Sequence, residues 1–285
     1  MSNYVVDEAE LENVRGRVIL VTGGATGIGH AIVTLAHRHG AKVAFCDVNE
    51  ESGRNFQQEL GSDVLFEKCD VSNWSELLRF FQLTYTKFGA IDSVISNAAI
   101  NRIETLEDPS DTPTSELPAP DISALNVNIV GTWYVTKAAI HFFGKNPETK
   151  SQLVLFGSVA SYFDTPPLYT YCASKAGVLG LMRALRTQLP KQNITVNMIA
   201  PWMTVTAMVT DHIKKVWDEL PANSPLDVAK ASLLPIVRPQ VNGKGFLING
   251  GNITEVEDKL DETQHVWLGS ELDSNMREGQ RRLIP

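Results

Sequence analysis

The chain holds six tyrosines, and only Tyr171, in "PPLYTYCASKAGVLG", is followed four residues later by a lysine. The positions four beyond Tyr4, Tyr85, Tyr134, Tyr162 and Tyr169 are Glu8, Gly89, Ala138, Pro166 and Ala173. On a helix i and i+4 share a face, so Lys175 can bring its ammonium to the Tyr171 phenol. A free tyrosine titrates near pH 10 and is a poor base at neutrality, but a nearby cation favours the phenolate. Lowering that value by about three units requires roughly 4 kcal/mol of differential stabilisation, which a desolvated lysine and an adjacent cationic ligand could share. The pair therefore reads as a general base with its tuner, set against the plainer reading of an aromatic beside a lysine on a helix surface.

A second chemical feature lies far upstream. "TGGATGIG", Thr22 to Gly29, follows an apolar run and opens a helical pattern. Glycine suits a chain that must turn tightly and approach a pyrophosphate, while free amides and the helix dipole attract its charge. The spacing is G-x-x-x-G-x-G, through Gly23, Gly27 and Gly29, rather than the commoner G-x-G-x-x-G. Asp47 stands eighteen residues beyond Gly29 at the end of "AKVAFCD", where a carboxylate can accept both hydroxyls of an adenosine ribose and repel a 2′-phosphate. Thr26 sits inside the turn without a basic neighbour, and Val48 and Asn49 follow the acid, so the charge pattern favours NAD over NADP. The competing role for Asp47 is to cap the next helix.

Both features must be held by an alternating series of elements. "RVILVTGG", "AKVAFCD", "DVLFEKCD", "IDSVISNAA", "SQLVLFGS", "NITVNMIAP" and "GKGFLING" read as strands, and the first six are separated by patterns of helical period. Such alternation implies an α/β fold, a single domain with a doubly wound parallel sheet covered by helices on both faces. The proline-rich, acidic stretch 101–121 is expected as a surface loop. The expected organisation is an extension over 1–13, the nucleotide-binding domain over 14–251 with a mobile substrate loop at 202–237, and a polar tail over 252–285.

Composition narrows the function classes. At 43% hydrophobic and 20% charged residues, the 285-residue chain can bury a large core. Its net charge of −8 argues against nucleic-acid or anionic-membrane partners. No apolar run reaches membrane-spanning length and the acidic N-terminal stretch is unlike a signal peptide, so a cytoplasmic protein is expected. Cys46, Cys69 and Cys172 are far apart, implying neither a disulfide framework nor a zinc site, and His37 and His39 read as a solvated helix end, so no metal is expected.

Five elements in order, "TGGATGIG", "SNAA", "VNIVG", the serine after the fifth strand and "YCASK", resemble the short-chain dehydrogenase/reductase family over about residues 14–251. The resemblance implies a Rossmann-type fold, with Tyr171 as catalytic base, Lys175 as its tuner and ribose anchor, Ser158 as donor to the substrate oxygen and Asn128 as anchor of a proton-relay water. It further implies cofactor contacts from Thr22, Gly23, Thr26, Gly27, Ile28 and Gly29 at the turn and from Asp47 and Val48 at the ribose. Asp70 and Val71 would meet the adenine, Asn97 and Ala98 the central sheet and ribose, and Pro201, Thr204 and Thr206 the nicotinamide end. Two departures stand out: Ala99 replaces a usual glycine, and Trp202 follows Pro201 where the family has glycine. Val159, Phe163, Trp202, Met203, Met208 and Trp217 fall on segments that border the family's substrate cleft, an apolar set with no cation to clamp an acid. The expectation is an NAD-dependent dehydrogenase acting on a small but bulky hydrophobic secondary alcohol or ketone of terpenoid or polyketide type. The tail "WLGSELDSNMREGQRRL" is similar to tails of dehydrogenases in fungal natural-product pathways. A homotetramer or homodimer is implied too. The alternatives are an NAD-requiring isomerase or dehydratase and a non-catalytic NAD-binding protein.

Overall fold

The computed structural model describes residues 3–102, 106, 113–114, 117–207, 209 and 211–284. Met208 and most of the expected 101–121 loop lie outside the described residues. The core strands are β2 (Val18–Thr22), β3 (Lys42–Asp47), β4 (Val64–Lys68), β5 (Ser93–Ser96), β6 (Ser151–Phe156), β7 (Ile194–Pro201) and β8 (Gly245–Asn249). They form a parallel sheet in the order β8-β7-β6-β5-β2-β3-β4. Strand alternation sends successive residues to opposite layers: Ile19, Val21, Val43 and Phe45 enter one core, Leu20, Ala44 and Cys46 the other. The first core is covered by α1 (Gly27–Arg38), α2 (Glu50–Leu60) and α8 (Pro225–Val237), the second by α3 (Trp74–Phe88), α5 (Thr132–Phe143) and α6 (Tyr169–Leu185). Burial on both faces explains why the strands read as continuous apolar runs. Between β2 and β5 the strand order reverses, and the crevice at the carboxyl ends of these strands is where such sheets take ligands.

The sheet extends beyond the expected seven strands. Gly250 and Gly251, with φ of +54° and +78°, form a two-residue turn from β8 into β9 (Asn252–Glu255), and β1 (Asn3–Tyr4) pairs antiparallel with β9. The 1–13 extension is therefore docked, not appended: Leu11 is buried, Glu10 pairs with Arg238, and Glu12 accepts from His39 at 3.0 Å. That contact corrects the expectation for His39, which is buried at the end of α1 instead of solvated.

Two other boundaries shift. The expected loop 202–237 divides, because α8 is a buried core helix opened by a Ser224–Asp227 capping box, leaving 202–224 as the cleft-side segment. That segment includes α7 (Asp211–Trp217). The helical pattern between β5 and β6 is not one continuous α-helix: α4 (Ser123–Leu125) leads into a π-helical stretch, Asn126–Gly131, before α5. The tail is helical, with α9 (Glu257–Glu262), α10 (Gln264–Leu268) and α11 (Ser270–Leu283).

Candidate active site

Three glycines of the β2–α1 turn are required for different reasons. A Cβ on Gly23 would lie 2.8 Å from Ala98 Cα, and one on Gly29 would overlap the Gly23 carbonyl oxygen, so both pack the turn against the end of β5. Gly27 has φ of +56° and faces the cleft, where a Cβ would first meet Thr206 Cγ2 at 3.5 Å. Asn97 locks this arrangement, donating its amide to the carbonyls of Thr22 and Gly23 at 3.0 and 2.9 Å. Thr22 Oγ1 accepts from the amides of Asn97 and Ala98, each at 3.1 Å.

No side chain caps α1: Thr26 is extended at the cap position and makes no capping bond, whereas Asn49, Asn73 and Ser224 cap α2, α3 and α8. The first-turn amides and the helix dipole are thus left for an anion, which fits the pyrophosphate of a dinucleotide. Asp47 is not the cap of α2; that is Asn49. Its carboxylate accepts from the Ala25 amide at 3.1 Å and the Asn49 amide at 3.0 Å, tying the glycine turn to the end of β3. A carboxylate offers about four acceptor positions, so two remain for ribose hydroxyls. Beyond it Asp70 Oδ1 accepts from the amide and hydroxyl of Ser72, and Val71 is buried against Gly131, where the adenine expectation falls.

At the chemical end, Ser158 follows β6 and caps a single 3-10 turn, Val159–Ser161. Its hydroxyl accepts from the Ala160 amide at 3.2 Å and reaches the Pro201 carbonyl at 3.5 Å. Ser161, which the sequence reading passed over, donates from Oγ to the Lys175 carbonyl at 2.8 Å, so the serine turn is fastened to α6. The signal for it was the repeat of serine three positions after Ser158, the spacing of a capping box.

On α6, Lys175 is 3% exposed, donates from Nζ to the Phe156 carbonyl at 2.9 Å and stands 5.5 Å from the Tyr171 ring centroid. Burial pulls its pKa down to about 7. Tyr171 moves the other way. Burial pushes its phenol above the usual value, the hydrogen bond with Ser158 pulls it partly back, and the Cys172 thiol adds to the rise. Tyr171 and Ser158 are therefore together, but the protein groups alone do not make a phenolate.

Asn128 sits in the π-helical stretch, 1% exposed, where its side chain accepts from the Ile100 amide at 2.8 Å and donates to the Ile100 carbonyl at 2.9 Å and to Ser174 Oγ at 3.0 Å. Ser174 in turn donates to the Tyr171 carbonyl at 2.7 Å, so Asn128 braces the first turn of α6 through a serine that sequence reading did not single out.

The Lys175 shift sets a pH dependence. Its folded pKa, about 7, lies below the 10.5 of an unfolded lysine. The unfolded chain therefore binds more protons between about pH 7 and 10.5, and stability rises with pH across that window. Its span is on the order of 5 kcal/mol. Melting curves without dinucleotide should show wild type gaining stability from pH 7 to 10 more steeply than Lys175→Met; equal slopes would refute the assignment.

Of the expected substrate residues, Trp202 and Trp217 meet edge to face with centroids 4.9 Å apart, and Trp217 Nε1 donates to the Pro221 carbonyl at 3.2 Å. Trp202 follows Pro201, whose carbonyl accepts from the Ser158 hydroxyl. Val159 and Met203 are half-buried, while Phe163 and Tyr169 are exposed. Thr204 is 7% exposed and donates to the Trp202 carbonyl at 3.0 Å. Asn223, also missed, stitches this segment to β8, donating to the Ile248 carbonyl at 2.9 Å while its backbone carbonyl and amide pair with Val205 and Met203. Among the described residues no cluster of metal-ligating side chains occurs and no helix is long and apolar enough to cross a membrane.

The chain is similar to known proteins along most of its length. It is 29% identical over 299 residues to the 5′-hydroxyaverantin dehydrogenase of Dothistroma septosporum, covering 95% of this chain and 94% of that one. It is 32% identical over 216 residues to (+)-borneol dehydrogenase 2 of Salvia officinalis, with 72% of each chain covered. Its fold matches the crystal structure of 3-ketoacyl-(acyl-carrier-protein) reductase from Brucella melitensis complexed with NADH at a TM-score of 0.74 and 23% identity, over 84% of this chain and 98% of that one. A family model described as short chain dehydrogenase matches residues 17–217, the span that carries the glycine turn, Asn128, Ser158, Tyr171 and Lys175, and the chain belongs to that family of nicotinamide-dependent oxidoreductases.

Proposed function

We propose that the protein interconverts a secondary alcohol and a ketone on a bulky hydrophobic natural product, with NAD as its nicotinamide cofactor. The observation that carries this reading is the meeting of Ser158, Tyr171 and Lys175 at the carboxyl end of the sheet, beside the Pro201 carbonyl. The glycine turn, Asp47, Asp70–Val71, Asn97–Ala98 and Lys175 would hold the dinucleotide, which when bound accepts or returns the hydride. In oxidation Tyr171 removes the alcohol proton and Ser158 donates a hydrogen bond to the same oxygen as it becomes a carbonyl. A cationic ring and a ribose hydroxyl near Lys175 would lower the Tyr171 pKa, which the protein alone leaves raised.

The substrate class rests on the Trp202–Trp217 pair and on the absence of a described basic side chain among the expected cleft residues. The two dehydrogenase relatives are named for (+)-borneol and 5′-hydroxyaverantin, which agrees with a hydrophobic alcohol. A panel of apolar cyclic secondary alcohols with NAD⁺ should give reduced cofactor absorbance at 340 nm, while hydroxy acids and sugar phosphates should not. Turnover confined to anionic alcohols would overturn the substrate class, and tight dinucleotide binding without turnover of any alcohol or ketone would overturn the reaction.

A further inference from the structure

The catalytic helix has a second anchor that comes from the polar tail, beyond the residues matched by the family model. Glu257, at the start of α9, has a side chain only 2% exposed. Its carboxylate accepts four hydrogen bonds. Arg183 donates from Nε to Oε2 and from NH2 to Oε1, each at 2.9 Å; Arg186 donates to Oε2 at 2.8 Å; Tyr162 Oη donates to Oε1 at 3.0 Å. The two arginines belong to the last turn of α6 and its C-cap, and Arg183 lies eight residues beyond Lys175. Tyr162 is the residue that ends the 3-10 turn capped by Ser158.

One buried carboxylate thus joins the segment bearing Ser158 to the helix bearing Tyr171. The phenol of Tyr162 crosses β8 to reach it, and a Cβ on Gly245 would overlap that phenol oxygen, so glycine is needed there. The near ties, Ser161 Oγ to the Lys175 carbonyl and Lys175 Nζ to the Phe156 carbonyl, both meet α6 at the single residue Lys175. Two points are needed to fix an angle. Resting on the proposed reaction, we infer that Tyr162 and Glu257 are positioning residues that set the distance and orientation between Ser158 and Tyr171.

Protonation supports constancy of this link. Burial and the Glu257 charge hold Tyr162 far above the ordinary tyrosine pKa, so it stays a donor. The other charged groups facing the cluster are Glu255, whose burial raises its pKa, and the Lys244–Asp258 pair. Loss of Glu257 would take the shared carboxylate from Arg183 and Arg186, which stay 42% and 32% exposed, and the acceptor from Tyr162, so it changes several contacts at once. Tyr162→Phe removes one hydroxyl and leaves the carboxylate with both arginines, so it isolates the link.

The test compares wild type, Tyr162→Phe and Glu257→Gln in the full chain labelled with ¹³Cζ-tyrosine, the Tyr171 resonance being identified by its loss in Tyr171→Phe. In Tyr162→Phe the Tyr171 resonance should move, because its hydrogen bond with Ser158 is loosened. With an alcohol that turns over, kcat should fall about 3–10-fold with KM and dinucleotide Kd within about twofold, and the alkaline shift of the rate profile should reach about half a pH unit. Glu257→Gln should show the same changes, larger, with a lowered melting temperature. Should Tyr162→Phe leave the Tyr171 resonance, kcat and the pH profile unmoved while the chain stays folded, the inference is overturned. Absence of turnover in wild type would instead count against the proposed reaction, and the resonance would still decide the positioning role.

Discussion

Tyr171→Phe is expected to lower the rate of alcohol oxidation by about 10²–10⁴-fold, the range for removing a positioned acid–base group, while dinucleotide affinity stays within about twofold. The phenylalanine ring keeps the packing of the first turn of α6, where the ring faces Lys175 at 5.5 Å, and deletes only the proton-carrying oxygen that pairs with Ser158. Measured by single turnover at 340 nm and by quenching of protein fluorescence on NADH binding, the two effects separate cleanly. A variant keeping more than a few per cent of wild-type turnover would sink the assignment of the base. Wild-type oxidation should accelerate with rising pH and reduction should slow, because burial places Tyr171 above its ordinary value and the phenolate is the form that accepts the alcohol proton.

The same residue shows how far sequence reasoning reaches. Spacing put Lys175 on the face of Tyr171, and the structure brings the pair together. The electrostatics ran differently from the expectation of a lysine cation depressing a phenol. Lys175 is buried and Tyr171 half-buried, desolvation pushes each toward its neutral form, and Lys175 at about 7 is itself only partly charged near neutrality. Burial is a property of the folded neighbourhood, and no i, i+4 rule contains it.

The legible part of the fold is the part with two buried faces. β2 to β8 announce themselves because parallel strands packed on both sides must be apolar throughout. β9 and β1 do not, being short and polar and placed at an edge, although the Gly250-Gly251 pair between "FLIN" and "NITE" was a readable hairpin signal. The π-helical stretch at Asn126–Gly131 breaks the 3.6-residue period that a sequence pattern assumes. Glu257 was hidden for a different reason: its partners Tyr162, Arg183 and Arg186 lie more than seventy residues earlier, and nothing in a polar tail marks one acid out of many as buried. Ser174 and Asn223 share that fate, since Ser174 meets Asn128 and Asn223 the Ile248 carbonyl only in the folded chain, and the spacing that marks the Ser161 turn does not show its bond to the Lys175 carbonyl.

Asp47→Asn is expected to lower the preference for NAD over NADP by about 10–100-fold. In wild type the carboxylate would face a 2′-phosphate at close range, and two unit charges about 4 Å apart repel by about 1 kcal/mol in water and about 4 kcal/mol at an effective dielectric constant of 20. The half-buried position of Asp47 puts it between those limits. Affinity for NAD should also fall, for a reason unrelated to the ribose: the carboxylate accepts the Ala25 and Asn49 amides, and an asparagine has one acceptor oxygen to offer both. The glycine turn loosens, and every dinucleotide suffers alike. The ratio of the two dissociation constants cancels that shared loss and isolates the charge, so titrations of both cofactors against both proteins are the decisive measurement. Raising the ionic strength should shrink the wild-type preference more than that of the variant, since screening acts on the repulsion and leaves the turn untouched. A ratio unchanged within twofold, or a wild type that already prefers NADP, would remove Asp47 as the residue that selects the cofactor and return it to the structural role its two amide bonds already show.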